Sequence, residues 1–227
     1  MSRPRGLVIA IDGPSGSGKS TTARLLAEKL GYLYLDTGAM YRAVTLKVLR
    51  AGTDPADPAE VAQVAAGADI RLEPRSEGVR VLLDGEDVSD DIRTSEVTRH
   101  ISVVSEVPGV REVLVAAQRA MGREGGVVLE GRDIGTVVFP DAELKVWMEA
   151  DLAVRARRRR LEMVERGGEA SEDEVASDLA RRDAHDSGRE HSPLSRAADA
   201  VQVDTSGLSI DEQVSVIEAL ARERMTT

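Results

Sequence analysis

Glycines, a lysine and hydroxyl residues follow one another near the start of the chain at a regular spacing. Glycines at these positions allow positive φ angles, so that backbone N–H groups can turn inward around a phosphate. The lysine can reach the terminal phosphates of a nucleotide, and the adjacent serine hydroxyl can bind Mg²⁺ directly or through water. The alternative is a glycine-rich turn that binds nothing. The residues are Gly13, Pro14, Ser15, Gly16, Ser17, Gly18, Lys19 and Ser20, followed by Thr21.

Two elements must position this segment. Residues 7–11 form a short, mainly β-branched apolar run, which predicts a buried strand. After the segment, Leu25, Leu26 and Leu30 have the spacing of a helix, whose N-terminus directs a partial positive charge at the phosphate. A strand, a glycine-rich loop and a helix in this order fit the pattern of a P-loop. We therefore predict a nucleoside triphosphate site, with Ser20 as the metal ligand.

The composition of the 227-residue chain argues against several classes of protein. A formal net charge of -10 argues against nucleic acid as the main partner, because binding to its backbone needs a basic face. One Trp, one Phe and three Tyr cannot build stacking platforms for single strands. The absence of cysteine excludes disulfides and thiolate metal sites. The apolar stretch at the start is too short for a signal peptide or a membrane span, so we expect a cytoplasmic protein with no membrane partner. We also expect a monomer.

A second polar segment follows the next predicted strand. Residues 32–35 read as a strand and residues 39–50 as a helix, joined by a loop over residues 36–42. Open α/β sheets bind ligands at the carboxyl ends of their strands, which makes Thr37 and Arg42 candidates for a second phosphate. The alternatives are a helix N-cap for Thr37 and a solvated charge for Arg42.

An alternating segment interrupts the βα pattern after a short helix over residues 59–66. Ile70 and Leu72, then Val79, Val81 and Leu83, are spaced by two, with turns over residues 73–78 and 84–85, and Val88 follows. This pattern predicts a small antiparallel meander with one exposed face. We expect an inserted lobe over residues 63–92, within a core formed by residues 1–62 and 93–227.

The rest of the chain returns to alternating helices and strands. We predict helices over residues 95–104, 110–121, 152–166, 172–189 and 210–224, and strands over residues 126–130, 144–148 and 201–204. A polar loop over residues 131–136 follows the first of these strands. Ser171 and Glu174 form a predicted capping box before the helix that starts at residue 172.

Two groups of arginines leave alternatives open. Five arginines within residues 155–160 could form a solvated basic face, or one or two of them could contact ATP. Arg182, Asp186 and Arg189 are spaced i, i+4 and i+7, so they share one helix face. They could form a ladder of salt bridges within the helix, or bind a ribose phosphate with arginine on the phosphate and aspartate on the sugar hydroxyls.

These pieces occur together and in order, and over nearly its whole length the chain resembles the bacterial cytidylate kinases. The matching segments are GPSGSGKST (residues 13–21), LDTGAMYR (residues 35–42), the meander, residues 102–111, EGRDIGT (residues 130–136) and RRDAHDSGR (residues 181–189). Thr37 departs from the serine that the family often has, although the hydroxyl is kept. Residues 183–185 are less charged than in many relatives.

The resemblance implies an α/β P-loop NTPase fold: a mostly parallel sheet flanked by helices, a small antiparallel β insertion that binds CMP, and a helical lid over about residues 155–189. It implies that Ser102, Arg111 and Asp133 contact the cytosine edge, and that Asp186 holds the ribose hydroxyls. It further implies that Arg158 contacts ATP. Around the CMP phosphate it places Thr37, Arg42, Arg132, Arg182 and Arg189, of which the last three act with Lys19 in catalysis.

The expected activity is therefore transfer of the ATP γ-phosphoryl group to CMP or dCMP, with Mg²⁺ as cofactor, in pyrimidine nucleotide metabolism. The nearest rival is another small-molecule P-loop kinase, which the meander and EGRDIGT disfavour. A rival of another class is a nucleotide-gated switch. Such GTPases generally recognise guanine with an Asn-Lys-x-Asp motif, and this chain contains no asparagine.

Overall fold

The computed structural model describes residues 3–75, 78–165 and 168–226. The strands, in chain order, are β1 (Val8–Asp12), β2 (Leu33–Asp36), β3 (Ile70–Pro74), β4 (Val79–Leu83), β5 (Glu86–Asp87), β6 (Val127–Gly131), β7 (Leu144–Glu149) and β8 (Val201–Asp204). The helices are α1 (Lys19–Leu30), α2 (Thr37–Arg50), α3 (Pro58–Ala66), α4 (Ser95–Glu106), α5 (Pro108–Gly122), α6 (Leu152–Glu165), α7 (Glu172–Gly188) and α8 (Ile210–Met225).

Within the described residues, five parallel strands form the main sheet in the order β2-β6-β1-β7-β8. Parallel strands are covered by helices on both faces, and accordingly all five residues of β1 are buried. Ile9 and Ile11 pack on the side of α1 and α8, whereas Val8 and Ala10 pack on the opposite side. The predicted α/β class with a mostly parallel sheet is confirmed. The carboxyl ends of all five strands meet at one edge, where the predicted polar segments lie.

The predicted meander is a three-stranded antiparallel sheet, β3-β4-β5, among the described residues. Val81 and Leu83 pack against Ala43 and Leu46 of α2, so the small sheet is attached to the core by an apolar contact. The predicted turn starts too early, because Glu73 still pairs with Arg80 in the ladder. Residues 76 and 77 of that turn lie outside the described residues. The expected lobe boundary at residue 63 lies within α3.

Two predicted loops contain helical structure. Residues 37–42 of the predicted loop belong to α2. The helix starts two residues earlier than predicted, because the Asp36 carboxylate accepts the Ala39 N–H at 2.9 Å and caps it. The loop over residues 131–136 contains the start of a π-helical turn, Ile134–Val138. The Phe139 N–H donates to the Ile134 carbonyl at 2.7 Å, which closes this wider turn.

Helices α6 and α7 pack against each other after β7 through a small apolar cluster of Ala156, Val175 and Leu179. The predicted capping box of Ser171 and Glu174 is present at the start of α7. The predicted end of α6 at Arg166 and the first glycine of the break, Gly167, lie outside the described residues. In the part of the chain that the structure describes, no helix combines the length and the apolar character needed to cross a membrane.

Candidate active site

A cleft of about 660 Å³ opens at the carboxyl edge of the sheet. It is bounded by the P-loop, the start of α2, the end of β6 and the pair α6–α7. Most of the residues predicted to bind nucleotides line it, whereas Gly13, Pro14, Ser17 and Ser102 do not. The predicted residues along its walls are Ser15, Gly16, Gly18, Lys19, Ser20, Thr21, Thr37, Arg42, Arg111, Arg132, Asp133, Arg158, Arg182, Asp186 and Arg189.

The P-loop has the backbone that its glycines were expected to allow. Gly13, Gly16 and Gly18 all have positive φ angles. At Gly13 the requirement is also steric, because a Cβ atom there would lie 1.9 Å from the Met148 carbonyl oxygen. The main chain of the loop therefore packs directly against β7.

Lys19 is buried at the start of α1, where its Nζ donates to the Pro14 carbonyl at 2.6 Å. Burial lowers the pKa of Lys19 from 10.5 to about 7, and the charge of Arg132 adds to the shift. Among the described residues, the amino group is thus held in place without a carboxylate in contact with it. An arriving phosphate would supply the missing negative charge.

Glu130 faces the P-loop from the adjacent strand β6. The Ser20 hydroxyl donates to its Oε1 at 2.6 Å, and the Tyr34 hydroxyl lies 3.5 Å from the same atom. A hydroxyl and a carboxylate are hard oxygen ligands that suit Mg²⁺, directly or through water. Sequence reasoning quoted Glu130 within EGRDIGT but gave it no role. The available signal was an acidic residue that ends the predicted strand beside the P-loop.

Asp186 is the centre of a group of arginines. Its Oδ2 accepts from Arg132 Nε at 3.0 Å, and its Oδ1 accepts from Arg189 Nη2 at 2.5 Å. Arg182 is more distant, with its Nε 4.0 Å from the same carboxylate. Burial alone would raise the pKa of Asp186, but the three arginine charges outweigh it and hold the pKa below its ordinary value. One carboxylate among three cations leaves net positive charge at the centre of the cleft.

The ion pairs of Asp186 with Arg182 and Arg189 are present, and Arg132 adds a third from outside α7. Burial lowers the pKa of Arg182 to about 9, with a further contribution from Arg132. The Nε groups of Arg182 and Arg189 are buried and have no hydrogen-bond partner among the described residues. Buried donors without hydrogen-bond partners are costly, so these groups fit the binding of an anion.

Arg111 and Asp133 form a buried ion pair on another wall of the cleft. The Arg111 guanidinium also lies 5.5 Å from the ring centre of Tyr41. Burial raises the pKa of Asp133 despite the opposing charge of Arg111. Arg111 and Asp133, predicted to contact the same base, are therefore side by side.

The structure does not bring Ser102 to the cleft wall and places Ser105 there instead. The Ser105 hydroxyl accepts from Arg189 Nη2 at 3.1 Å and donates to the Ser102 carbonyl at 3.0 Å. The two serines are three residues apart near the end of α4, so the difference is one turn of helix. Sequence reasoning did not name Ser105.

Thr37 and Arg42 are positioned by tertiary contacts. The Thr37 hydroxyl donates to the Glu130 carbonyl at 2.7 Å, and Asp36 rather than Thr37 is the N-cap of α2. Arg42 Nη1 donates to the Thr98 hydroxyl at 2.9 Å. Burial lowers the pKa of Arg42 to about 10, with a further contribution from Arg159. Neither residue has the role assumed by the alternatives above.

The arginines of α6 serve different contacts. Arg158 donates through Nη2 to the Thr205 carbonyl at 2.6 Å, and Thr205 in turn donates to the Ser17 carbonyl of the P-loop at 2.9 Å. Arg159 lines the cleft and pairs with Glu162 at 2.9 Å. The run is therefore not a uniform solvated face, because some of its members turn toward the nucleotide loop.

Asp12, the last residue of β1, is a buried carboxylate that sequence reasoning missed. Its oxygens accept the Ile134 N–H at 2.8 Å and the Gly135 N–H at 2.7 Å. Burial raises the pKa of Asp12 to about 6. The contact ties the P-loop strand to the π-helical turn that follows Arg132 and Asp133. A lone acid at the end of an apolar run was its signal in the sequence.

Comparisons with known proteins show the family of this chain. The protein-family model described as cytidylate kinase matches residues 9–223. A cytidylate kinase from Geobacter sulfurreducens is 52% identical over 220 residues, covering 97% of this chain and 94% of the relative. Another from Rhodococcus opacus is 49% identical, covering 96% of each chain.

A solved shikimate kinase from Bacteroides thetaiotaomicron aligns over 95% of this chain and 98% of its own, with a TM-score of 0.50 and 13% identity, which supports the fold alone. The family match spans the P-loop, the cleft and the helical pair. The chain belongs to the cytidylate kinase family.

Proposed function

We propose that the chain transfers the γ-phosphoryl group of ATP to the 5′-phosphate of CMP or dCMP, giving ADP and CDP or dCDP. One observation carries the proposal: a single cleft holds the P-loop, the arginines around Asp186 and the Arg111–Asp133 pair. These three groups match the triphosphate, the acceptor phosphate and the base of two nucleotides bound end to end.

At the donor end, the P-loop main chain and Lys19 would hold the phosphates of ATP. The Ser20 hydroxyl and the Glu130 carboxylate fit a Mg²⁺ ion, which when bound would neutralise charge on the β- and γ-phosphates. Lys19 gains its full charge beside the triphosphate, because an anion nearby raises the pKa that burial has lowered. Arg158 would then contact ATP from α6.

At the acceptor end, Arg132, Arg182 and Arg189 would bind the CMP phosphate, and Asp186 would accept hydrogen bonds from the ribose hydroxyls. The attacking oxygen belongs to a phosphate that is already an anion, so no general base is needed. A phosphate oxygen forms the new bond to the γ-phosphorus while the bond to the ADP oxygen breaks. Positioning and neutralisation of charge therefore account for the rate.

The pair α6–α7, within residues 155–189, would act as a lid, and the inserted lobe over residues 63–92 would cover CMP. Closure over both nucleotides excludes water, which would otherwise accept the phosphoryl group. The P-loop, the arginines around Asp186 and the Arg111–Asp133 pair lie in one cleft, so we propose that a monomer can act alone. We assign the reaction to the cytoplasm because its nucleotide substrates are found there.

The test is an ADP-release assay with ATP and Mg²⁺, offering CMP, dCMP, UMP, AMP and GMP separately. We expect turnover with CMP and dCMP and much less with UMP. Stimulation by AMP or GMP alone would contradict the assignment of the acceptor. ADP release that no monophosphate stimulates would contradict the kinase proposal itself.

A further inference from the structure

The P-loop is held from outside the cleft by an ion pair that none of the roles above uses. Arg155 of α6 donates through Nη1 to the Ser15 carbonyl at 3.0 Å and to Asp183 Oδ2 at 2.6 Å. The other oxygen of Asp183 accepts the Ser15 N–H at 3.4 Å. The pair therefore holds both the N–H and the carbonyl of one P-loop residue.

Arg155 is buried and Asp183 is half-buried. Only 9% of the Arg155 side chain and 19% of the Asp183 side chain are exposed. Charges that lose their hydration need additional hydrogen bonds, and Arg155 obtains one more by donating its Nε to the Ala150 carbonyl at 3.0 Å. Gly16 permits this close approach, since a Cβ atom there would lie 3.2 Å from Arg155 Cβ. Helix α6 thus packs directly against the P-loop.

Asp183 connects the P-loop with the acceptor half of the site. It follows Arg182 and precedes Asp186 by three residues, so one turn of α7 serves both ends of the cleft. One turn earlier, Leu179 packs against Ala156 in the apolar contact of the helical pair. The ion pair is therefore the polar end of the α6–α7 interface, at the point where that interface meets the P-loop.

We propose that Arg155 and Asp183 are positioning residues for ATP, which fix the Ser15 peptide so that the P-loop is preorganised before the nucleotide binds. They act through the main chain of the loop. A loop already in its bound conformation loses less conformational entropy on binding, which increases affinity. The inference rests on the proposed function, because it concerns the donor half of the same site.

The test compares Asp183→Asn, which keeps the shape and removes the charge, with Asp183→Glu, which keeps the charge and moves the carboxylate. Calorimetry measures the Kd of β,γ-imido-ATP with Mg²⁺ and without an acceptor. We expect both variants to raise this Kd about three- to tenfold, the effect of one weakened hydrogen bond, and to raise the KM for ATP in parallel. The KM for CMP changes much less. Should Asp183→Glu not fold, Arg155→Lys removes the planar fork while keeping the charge.

A matched control lies on the same helix. Asp178 is an exposed carboxylate paired with Arg181 at 2.8 Å, and Asp178→Asn makes the same chemical change away from the P-loop. We expect this variant to bind the ATP analogue like the wild type.

Three outcomes would overturn the inference. If both Asp183 variants had an unchanged Kd and a lower melting temperature, the ion pair would stabilise the fold without positioning the P-loop for ATP. Tighter binding by Asp183→Asn with no change in Asp183→Glu would show an effect of charge alone. If Asp178→Asn raised the Kd of the ATP analogue as much as Asp183→Asn does, the effect would not be specific to the contact with the P-loop. Binding of the ATP analogue needs no acceptor, so failure of CMP turnover would leave this test valid.

Discussion

Arg111 and Asp133 pair inside the cleft with only 7% of each side chain exposed. The pair presents N–H donors beside carboxylate acceptors, and both groups keep hydrogen-bonding capacity for a ligand. Cytosine offers an amine donor next to a ring nitrogen and a carbonyl, which are acceptors. Uracil has an oxygen in place of the amine and an N–H in place of that nitrogen, so it would leave buried groups unpaired. This arrangement is the physical basis of the proposed preference for cytidine nucleotides.

Replacing Asp133 by Asn would test this base selection. The change puts an amide donor where a carboxylate oxygen accepts from the cytosine amine. We expect kcat/KM for CMP to fall roughly ten- to a hundredfold, as for loss of a buried hydrogen bond, while the value for UMP falls much less. Steady-state kinetics with both substrates measures the ratio.

Asp141→Asn is the matched control for that change. Its carboxylate is exposed and pairs with Arg3 at 2.8 Å, outside the cleft. A CMP-to-UMP ratio that stays the same in Asp133→Asn would refute the role of this residue in recognising the base.

The lowered pKa of Lys19 predicts that the protein takes up protons when it binds a nucleotide. Burial holds its pKa at about 7 in the free protein, so above that pH the amine is largely neutral. The triphosphate raises the pKa again, so binding of β,γ-imido-ATP near pH 8 takes up a fraction of a proton. Calorimetry in two buffers with different ionisation enthalpies measures the uptake. Lys19→Met should abolish it, and Lys29→Met, which removes an exposed lysine, should not.

The lowered pKa of Lys19 also determines how the free energy of unfolding changes with pH. In the unfolded chain Lys19 keeps its proton up to about its ordinary pKa of 10.5, whereas in the folded protein it loses the proton above about 7. The unfolded state thus binds more protons in this window, so the contribution of Lys19 to folding stability rises with pH between these values. Denaturant unfolding of wild type and Lys19→Met should show this rise in the wild type alone.

Asp12→Asn would loosen the turn that follows Arg132 and Asp133. The amide would direct its NH₂ group at a backbone N–H that now donates to a carboxylate oxygen. We expect the KM for CMP to rise about tenfold, with a smaller change in the Kd of the ATP analogue. Asp204→Asn is the control, since Asp204 also ends a strand and accepts the Ser206 N–H at 2.9 Å, but is exposed. Equal effects on both nucleotides would contradict a role specific to this turn.

Glu130→Gln would test the proposed Mg²⁺ position. The amide still accepts from the Ser20 hydroxyl but lacks the negative charge that favours the cation. We expect the Mg²⁺ concentration for half-maximal activity to rise about tenfold, as for other outer ligands of metal sites. Titration of activity with Mg²⁺ at constant ATP measures it. Glu149→Gln, another glutamate at a strand end, should behave like the wild type, and an unchanged titration in Glu130→Gln would exclude Glu130 as a ligand.

Local sequence patterns were sufficient for much of the fold and for part of the site. These features depend on interactions between residues that are close in the sequence, so the spacing of residue types is enough to predict them. Examples are the P-loop glycines, the capping box at Ser171 and the alternation in the meander. The family motifs then assigned roles to Arg111, Asp133 and Asp186, which line the cleft. The helix boundary at Thr37 was missed because the capping group is the Asp36 carboxylate, which the sequence analysis assigned to the start of a loop.

Only the tertiary structure decided which distant groups meet. Ser20 and Glu130 are 110 positions apart, Asp12 and Ile134 are 122 apart, and Ser15 and Asp183 are 168 apart. Each contact depends on how parallel strands align their carboxyl ends and how α6 and α7 pack beside them. The sequence by itself determined a P-loop kinase with its donor and acceptor motifs, because those depend on short-range spacing. The long-range contacts that hold the site residues in place depend on packing between remote elements, which no local pattern encodes.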